Sequence, residues 1–285
     1  MKLLRYGPKG REKPGMLDAS GAIRDLSRVV KDIDGETLSP AGLRKLKALK
    51  PEKLKKVAGK PRLGTPVSPT GKLICVGLNY ADHAAEAGVP VPKEPVLFIK
   101  TANAYAGPND KIQFPRGATK MDWEVELTVV IGKKARYVTK DKALGHVAGY
   151  TICNDVSERA FQIDRGGSQW TKGKFCDGFA PMGPYVLTSD EVKDPQALDL
   201  WCDVNGKRMQ SGNTKTMIFD VKTIVSYISD FITLEPGDVI ITGTPPGVGM
   251  GKKPNPIWLQ PGDVVTLGIS GMGEQRQVCV GYTGK

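Results

Sequence analysis

Residues 121–132 constrain the fold of this chain more than any other segment. The segment, MDWEVELTVVIG, alternates acidic and apolar residues and then becomes a largely β-branched run that ends at a glycine. This pattern predicts a β-strand that is half-exposed at its start and buried at its end. Because side chains alternate along a strand, Asp122, Glu124 and Glu126 share one face, and the apolar residues between them share the other.

Three carboxylates on one face of a strand repel one another unless a cation or a proton lies between them. Carboxylate oxygens are ligands that suit Mg²⁺, Mn²⁺ or Ca²⁺ better than zinc. The alternative is a solvated acidic strand end without any ligand. Residues 121–132 by themselves leave both interpretations open.

Strand patterns dominate the chain after residue 70. The predicted strands are 72–77, 96–99, 125–131, 147–153, 185–187, 198–204, 239–242, 264–269 and 277–281. The dipeptide Asn205-Gly206 is a strong signal for a type I′ hairpin turn. One clear amphipathic helix is predicted between Asp220 and Thr233. So many strands with so few helices predict a mainly β, α+β fold built as a sandwich, barrel or roll.

Residues 1–65 are predicted to form a small N-terminal α/β domain. They contain a short hairpin around Ser20-Gly21 and a helix with Ser39 as its N-cap and Pro40 as its first residue. The stretch 61–69 is rich in proline and glycine, which predicts a linker. A second domain, residues 70–285, follows it.

The formal net charge is +11, which raises the possibility of nucleic-acid binding. About +7 of it comes from the stretch between Arg44 and Lys60, where eight basic residues accompany one acidic residue. This stretch has no aromatic residues on which bases could stack, so a solvated helical face explains it better. Attraction of small anionic substrates is a secondary interpretation.

Cysteine spacing and hydropathy indicate the class of protein. None of the five cysteines forms a CxxC pair, which argues against a zinc knuckle and a secreted disulfide framework. No apolar run approaches the roughly 20 residues that cross a bilayer. The apolar part of the start is too short for a signal peptide, so a cytoplasmic location is expected.

His83 and Glu86 lie three residues apart on a short predicted helix that begins at Asn79, its candidate N-cap, and ends before Gly88. At this spacing both side chains lie on one helix face. A carboxylate beside an imidazole fixes its tautomer and raises its basicity, as a general base near pH 7 requires. A capped surface helix is the alternative. The second histidine, His146, precedes a strand, where packing or capping is the expected role.

Three later segments carry polar residues that a β-scaffold does not require. Asp155 ends an apolar strand, where a buried carboxylate needs a partner. Lys174 is central to a glycine-rich loop at 169–181. The loop at 241–249, which contains Thr244, is rich in glycine and proline and can present backbone N–H groups to a ligand.

Taken in order, these segments resemble the fumarylacetoacetate hydrolase family from about residue 72 to the C-terminus. The similarity rests on the segments GLNY at 77–80 with His83 and Glu86, DWEVEL at 122–127, NDVSER at 154–159, GKFCD at 173–177 and GTPPGVG at 243–249. Departures are small: Leu78 stands where the family often has arginine, and Gly178-Phe179 where it often has Thr-Phe.

The resemblance implies a mixed β-sandwich roll, a homodimer and one Mg²⁺ or Mn²⁺ ion. Strand alternation alone does not exclude Asp122 as a ligand. The site residues that the resemblance implies are the metal ligands Glu124, Glu126 and Asp155, the water-activating pair His83 and Glu86, the catalytic lysine Lys174, and the substrate contacts Arg159, Gln162 and Thr244.

The implied reaction is hydrolysis of a carbon–carbon bond in a 2,4-diketo acid, which yields pyruvate and a carboxylic acid. The N-terminal order, with KLLRYG near the start, is most similar to bacterial members that act on 2,4-diketo-3-deoxy sugar acids derived from L-fuconate or L-rhamnonate. Oxaloacetate decarboxylation, keto-acid tautomerisation and a ureidoglycolate-type lyase reaction are alternatives at the same site. A non-catalytic basic β-protein that binds nucleic acid is a further alternative, but it leaves the acidic cluster unexplained.

Overall fold

The structure of the protein is a computed structural model that describes residues 1–68, 71–165, 167 and 169–284. The strands in these residues are β1 Lys2–Tyr6, β2 Lys13–Leu17, β3 Ile23–Asp25, β4 Leu73–Gly77, β5 Val96–Lys100, β6 Tyr105–Ala106, β7 Ile112–Gln113, β8 Met121–Asp122, β9 Val125–Ile131, β10 Val147–Asn154, β11 Ser157–Glu158, β12 Ala180–Thr188, β13 Asp199–Val204, β14 Lys207–Asn213, β15 Val239–Ile241, β16 Val264–Ile269 and β17 Gly273–Val280.

The α-helices in the same residues are short. They are α1 Gly35–Leu38, α2 Pro40–Lys47, α3 Ala81–Ala87, α4 Lys140–Ala143 and α5 Val221–Phe231. A π-helical turn covers Ala160–Asp164. No helix in the described part of the chain is long and apolar enough to cross a membrane.

Two large sheets pack against each other. The larger sheet has ten strands in the order β3-β2-β1-β12-β10-β9-β15-β4-β5, with β6 paired to β12. The smaller sheet has five strands in the order β14-β13-β16-β17-β7. Most neighbouring strands are antiparallel, but β4 with β15, β6 with β12 and β7 with β17 are parallel. This arrangement confirms the predicted mixed β-sandwich of the α+β class.

The main apolar core lies between the two sheets. Val125 and Leu127 of β9 pack there with Leu200 of β13 and Leu267 of β16. Because side chains alternate along a strand, Glu126 of β9 faces away from this core. The buried strand therefore presents an acidic residue on the opposite side of the sheet.

Residues 1–25 extend the larger sheet and do not form a sheet of their own. β1 pairs antiparallel with β12, where Leu3 lies opposite Val186. A second core packs Leu3 and Leu46 of the N-terminal part against Val130 of β9. The N-terminal part is thus continuous with the main sheet, and the domain division between residues 65 and 70 stays a prediction.

The predicted linker 61–69 is held in place along its described part, while residues 69 and 70 lie outside the described residues. Leu63 forms a β-bridge with Tyr6. Arg62 makes ion pairs with Asp110 at 2.6 Å and with Glu12 at 2.8 Å. These contacts join the N-terminal part to the segment before β7.

Local signals for turns and caps are confirmed. Asn205 and Gly206 have φ angles of 51° and 76°, as a type I′ turn requires, and they connect β13 to β14. Pro40 is the first residue of α2, and the hydroxyl of Ser39 accepts a hydrogen bond from the N–H of Gly42 at 3.1 Å. The basic residues between Arg44 and Lys60 are exposed, as expected for a solvated face.

The prediction that Asn79 caps a helix is wrong. Tyr80 occupies the cap position of α3, and its side chain makes no capping hydrogen bond. The amide of Asn79 instead donates to the carbonyls of Thr242 at 2.7 Å and Phe219 at 3.1 Å, and it accepts from the N–H of Phe219 at 2.9 Å. Asn79 therefore fastens the loop before α3 to the end of β15.

Candidate active site

Three predicted metal ligands meet where β9 and β10 lie side by side. Glu126 is in β9 opposite Cys153 of β10, Glu124 directly precedes β9, and Asp155 directly follows β10. The backbone N–H of Asp155 donates to the carbonyl of Glu124 at 2.9 Å. One carboxylate oxygen from each of the three acidic residues lies within 4.8 Å of the others, and all three residues are buried.

Buried cations balance part of this negative charge. Lys174 Nζ donates to Glu124 Oε2 at 2.7 Å and to Asp155 Oδ2 at 2.8 Å, and Arg159 Nη2 donates to Glu124 Oε1 at 2.6 Å. Burial raises the pKa of Glu124, but the charges of Lys174 and Arg159 outweigh it and hold that pKa well below its usual range. Burial lowers the pKa of Lys174, but Asp155 and Glu124 raise it to about 12. Glu124 and Lys174 are therefore both charged at neutral pH.

Asp122 lies outside the metal cluster, although strand alternation left it as a candidate ligand. The strand is interrupted between β8 and β9, so alternation does not continue across it. The carboxylate of Asp122 accepts from Arg159 Nε at 2.8 Å and from the N–H groups of Gly249 at 2.6 Å and Met250 at 3.1 Å. Asp122 therefore orients Arg159 and the loop after Thr244.

Sequence reasoning missed Lys100, a third buried cation. Its Nζ lies 2.6 Å from Asp155 Oδ1. Its hydrogen bonds go to the carbonyls of Val156 at 3.1 Å, Phe179 at 2.8 Å and Lys174. The one feature of the sequence that could have indicated a buried Lys100 is its position at the end of the apolar run of β5.

Two carboxylates of the cluster retain acceptor capacity. Asp155 Oδ1 is buried and accepts no hydrogen bond in the described structure, because the N–H groups of Lys100 are directed to carbonyls. Among the described residues Glu126 has no cationic partner and accepts only from the N–H of Gly243. Burial has the largest effect on the pKa of Glu126 and raises it well above its usual range. The negative charges of Asp155 and Glu124 raise it further. Oxygen donors of this kind fit Mg²⁺ or Mn²⁺.

His83 and Glu86 form the predicted pair on α3. His83 Nδ1 lies 3.2 Å from Glu86 Oε2, and the N–H of Gly247 donates to both oxygens of Glu86 at 3.0 Å. Burial raises the pKa of Glu86, but the hydrogen bonds from His83 and Gly247 outweigh it and lower that pKa. An ionised Glu86 holds the proton of His83 on Nδ1, which leaves Nε2 as the nitrogen that can accept a proton.

Most of the predicted site residues line one cavity of about 100 Å³. This volume is below the roughly 300–1,000 Å³ of pockets for drug-sized ligands, so the cavity suits a small substrate. Eight of the nine predicted residues line it: His83, Glu124, Glu126, Asp155, Arg159, Gln162, Lys174 and Thr244. Glu86 contacts the cavity only through His83. His146 is half-buried and does not line this cavity, and its Nδ1 lies 2.9 Å from the carbonyl of Lys134.

Two of the three residues predicted to contact substrate, Thr244 and Gln162, differ in the hydrogen-bonding groups that they offer to a ligand. The hydroxyl of Thr244 donates to the carbonyl of Val125 at 2.9 Å and accepts from Gln210 at 2.8 Å. Gln162 Oε1 accepts from Arg159 at 2.9 Å, and its Nε2 makes no hydrogen bond among the described residues. Gln162 is thus the residue with a donor available for a ligand.

Replacing Lys174 by methionine tests the charge balance of the cluster. The change leaves two buried carboxylates without their shared cation, so we expect the metal-free protein to lose about 3–5 kcal/mol of unfolding free energy. Added Mg²⁺ should restore more stability to Lys174→Met than to the wild type, which urea unfolding with and without the ion can measure. Lys172→Met is the matched control, because Lys172 is an exposed lysine of the same loop. Equal stabilities of the two variants would contradict this interpretation.

A buried carboxylate cluster and a histidine held by a glutamate form a candidate enzyme active site on a β-sandwich. The chain belongs to the fumarylacetoacetate hydrolase family: the family model described as "Fumarylacetoacetate (FAA) hydrolase C-terminal" matches residues 72–280. A protein from Burkholderia cenocepacia, whose name goes no further than a hydrolase, is 60% identical over 277 residues, which cover 97% of this chain and 98% of that protein.

Solved structures in this family carry more than one activity. A structure from Mycobacterium abscessus, named as a 2-hydroxyhepta-2,4-diene-1,7-dioate isomerase, has a TM-score of 0.84 and 30% identity over 99% of this chain and 100% of its own. Maleylpyruvate hydrolase from Sphingobium sp. SYK-6, solved with manganese(II) and pyruvate, has a TM-score of 0.83 and 27% identity over 99% of this chain and 100% of its own. The family therefore includes hydrolases and isomerases.

Proposed function

We propose that this protein is a metal-dependent hydrolase that cleaves a carbon–carbon bond of a 2,4-diketo acid to give pyruvate and a carboxylic acid. The observation that carries the proposal is that His83, held by Glu86, lines the same cavity as the carboxylate cluster. A positioned general base beside a metal site is what water attack on a carbonyl requires. The solved maleylpyruvate hydrolase, with its manganese and pyruvate, supports the same chemistry.

Glu126, Asp155 and Glu124 would hold the ion, which we propose to be Mg²⁺ or Mn²⁺. A divalent cation bound there would polarise the carboxylate and 2-keto oxygens of the substrate. Glu126 has lone pairs available for it. Asp155 Oδ1 accepts no hydrogen bond, although Lys100 Nζ lies 2.6 Å away, and Glu124 shares its oxygens with Lys174 and Arg159.

His83 Nε2 accepts a proton from the attacking water, and Glu86 stabilises the imidazolium that forms. The water oxygen bonds to C4 of the substrate, and the C3–C4 bond then breaks. Its electron pair leaves on C3, which is protonated to give pyruvate. Lys174 lies beside the cluster, where its charge stabilises the negative charge that develops, and Gln162 donates to a substrate oxygen.

The isomerase named among the solved structures makes tautomerisation the second candidate. Tautomerisation and metal-assisted decarboxylation move a proton or release carbon dioxide without water attack. Decarboxylation requires no base, so the His83–Glu86 pair favours hydrolysis over it. Tautomerisation can use a base, and release of pyruvate is what distinguishes hydrolysis from it.

A homodimer and a cytoplasmic location are also part of the proposal. Exposed apolar side chains on the edge strand β5 and at the end of α5 support self-association: Leu97, Ile99, Phe231 and Ile232. The absence of nucleic-acid binding stays a prediction, which a salt titration with DNA or RNA can check.

Pyruvate release from purified protein with Mg²⁺ tests the proposed reaction. We expect acylpyruvates, including 2,4-diketo-3-deoxy sugar acids, to be converted to pyruvate and one equivalent of a carboxylic acid. A coupled lactate dehydrogenase assay measures the first product, and chromatography measures the second. Tautomerisation of a 2-hydroxydienoate without pyruvate release from any acylpyruvate would favour the isomerase instead.

A further inference from the structure

The cavity has a charged end and an apolar mouth. The carboxylate cluster and His83 occupy the charged end. The apolar side chains that line the remainder are the buried Val76 and, at the mouth, the exposed or half-buried Leu78, Phe98, Ile163, Trp170 and Met250. Ile163 is 49% exposed, which is high for a large apolar side chain and leaves it available to cover a ligand.

This apolar mouth is preorganised. The rings of Phe98 and Trp170 form an edge-to-face pair with centroids 5.8 Å apart. Trp170 lies so close to Gly77 that a Cβ there would come within 2.2 Å of the ring. Leu78 is held at a φ angle of 51°, a region that non-glycine residues seldom adopt. Strain of this kind is maintained where the surrounding structure needs the side chain in one place.

No lining cation of the described structure has a charge left for a second anionic group of the substrate. Arg159 pairs with Asp122 and Glu124, and Lys174 pairs with Glu124 and Asp155. Burying a carboxylate without a partner is costly. Among the described side chains that line the cavity, Gln162 Nε2 and the indole N–H of Trp170 are neutral donors without a hydrogen bond, so a polyhydroxylated group would regain only part of its lost hydration there.

We infer that the acyl group of the substrate is apolar and uncharged. This inference rests on the proposed hydrolysis of 2,4-diketo acids and specifies its substrate class. The diketo acid end binds at the carboxylate cluster, and the apolar acyl chain lies against Leu78, Phe98, Trp170 and Ile163. An apolar acyl group differs from the sugar acid that was expected from the sequence, because a sugar chain would need polar partners at the mouth.

A matched pair of substrates tests the inference. One acylpyruvate carries a 4-methylpentanoyl group, and the other carries the succinyl group, which replaces the terminal isopropyl by a carboxylate of the same shape. We expect kcat/KM to favour the apolar substrate by about 100-fold, within the range that pocket contacts discriminate. A 2,4-diketo-3-deoxy sugar acid should also be slower. Preference for the succinyl or sugar substrate would overturn the inference while leaving the hydrolase proposal intact.

Failure of the proposed function has a different signature, because then none of the three substrates releases pyruvate. Ile163→Lys places a cation at the mouth and should reduce the apolar preference by about tenfold or more. Ile163→Leu keeps an apolar side chain of equal size and should retain the ratio. An unchanged ratio in a folded Ile163→Lys protein would also count against the inference, and if that variant does not fold, the wild-type ratio decides.

Discussion

Protein treated with EDTA is expected to lose turnover of acylpyruvates and to regain it when Mg²⁺ or Mn²⁺ is added. Glu126→Gln should weaken metal binding by more than about 100-fold, because loss of an outer-shell partner alone typically costs roughly 10–100-fold. The metal-free variant should be at least as stable as the wild type, since the charge of Glu126 is disfavoured by burial and by Asp155 and Glu124. Isothermal titration with Mn²⁺ and thermal unfolding measure the two effects.

Asp122→Asn is the matched control for Glu126→Gln. Asp122 is a buried carboxylate of the same segment, but its partners are Arg159 and backbone N–H groups. Its replacement acts on the cluster only through Arg159 and should cost much less metal affinity than Glu126→Gln. Full turnover by EDTA-treated protein, or equal loss of metal affinity in both variants, would rule out the proposed ligand set.

His83→Ala and Glu86→Ala are each expected to lower the rate of acylpyruvate hydrolysis by roughly 10²-fold or more. Since the two residues act as one unit, the double variant should be little worse than either single variant. Decarboxylation of oxaloacetate should survive in all three, because it requires metal chelation and enolate stabilisation but no attacking water. Parallel steady-state assays of the two reactions separate these outcomes.

The second histidine supplies the control for this experiment. His146 is half-buried and does not line the cavity, so His146→Ala should hydrolyse acylpyruvates at the wild-type rate. Two results would contradict the role of His83 as a base. One is hydrolysis at the wild-type rate in His83→Ala, and the other is equal loss of both reactions, which would show that His83 only positions the substrate.

The candidate site was predictable as a set of residues, but its charge balance was not. The motifs that contain His83, Glu124, Asp155 and Lys174 identify residues that the structure brings to one cavity. Their roles stay predictions until the variants are measured. Lys100 was missed because one lysine at the end of an apolar strand carries no distinctive pattern, and its partners are backbone carbonyls that sequence does not distinguish.

Local features of the fold follow from the sequence alone. The strand Val125–Ile131 was predicted with the observed bounds, because alternation and β-branched residues are properties of neighbouring positions. The Asn205-Gly206 hairpin and the Ser39 cap were predictable for the same reason, since turn and cap chemistry involves residues within a few positions of one another.

Only the tertiary structure decided which polar groups meet. Asn79 lies 163 residues from Thr242, and Lys174 lies 50 residues from Glu124, so neither contact is encoded in a local pattern. The same holds for the pairing of β1 with β12, which makes the N-terminal part continuous with the main sheet. Sequence periodicity determines which face a side chain takes within one strand. Packing of distant segments determines which charges are neutralised, and for that reason Glu124 and Asp155 are each paired with two cations while Glu126 has no ion pair among the described residues.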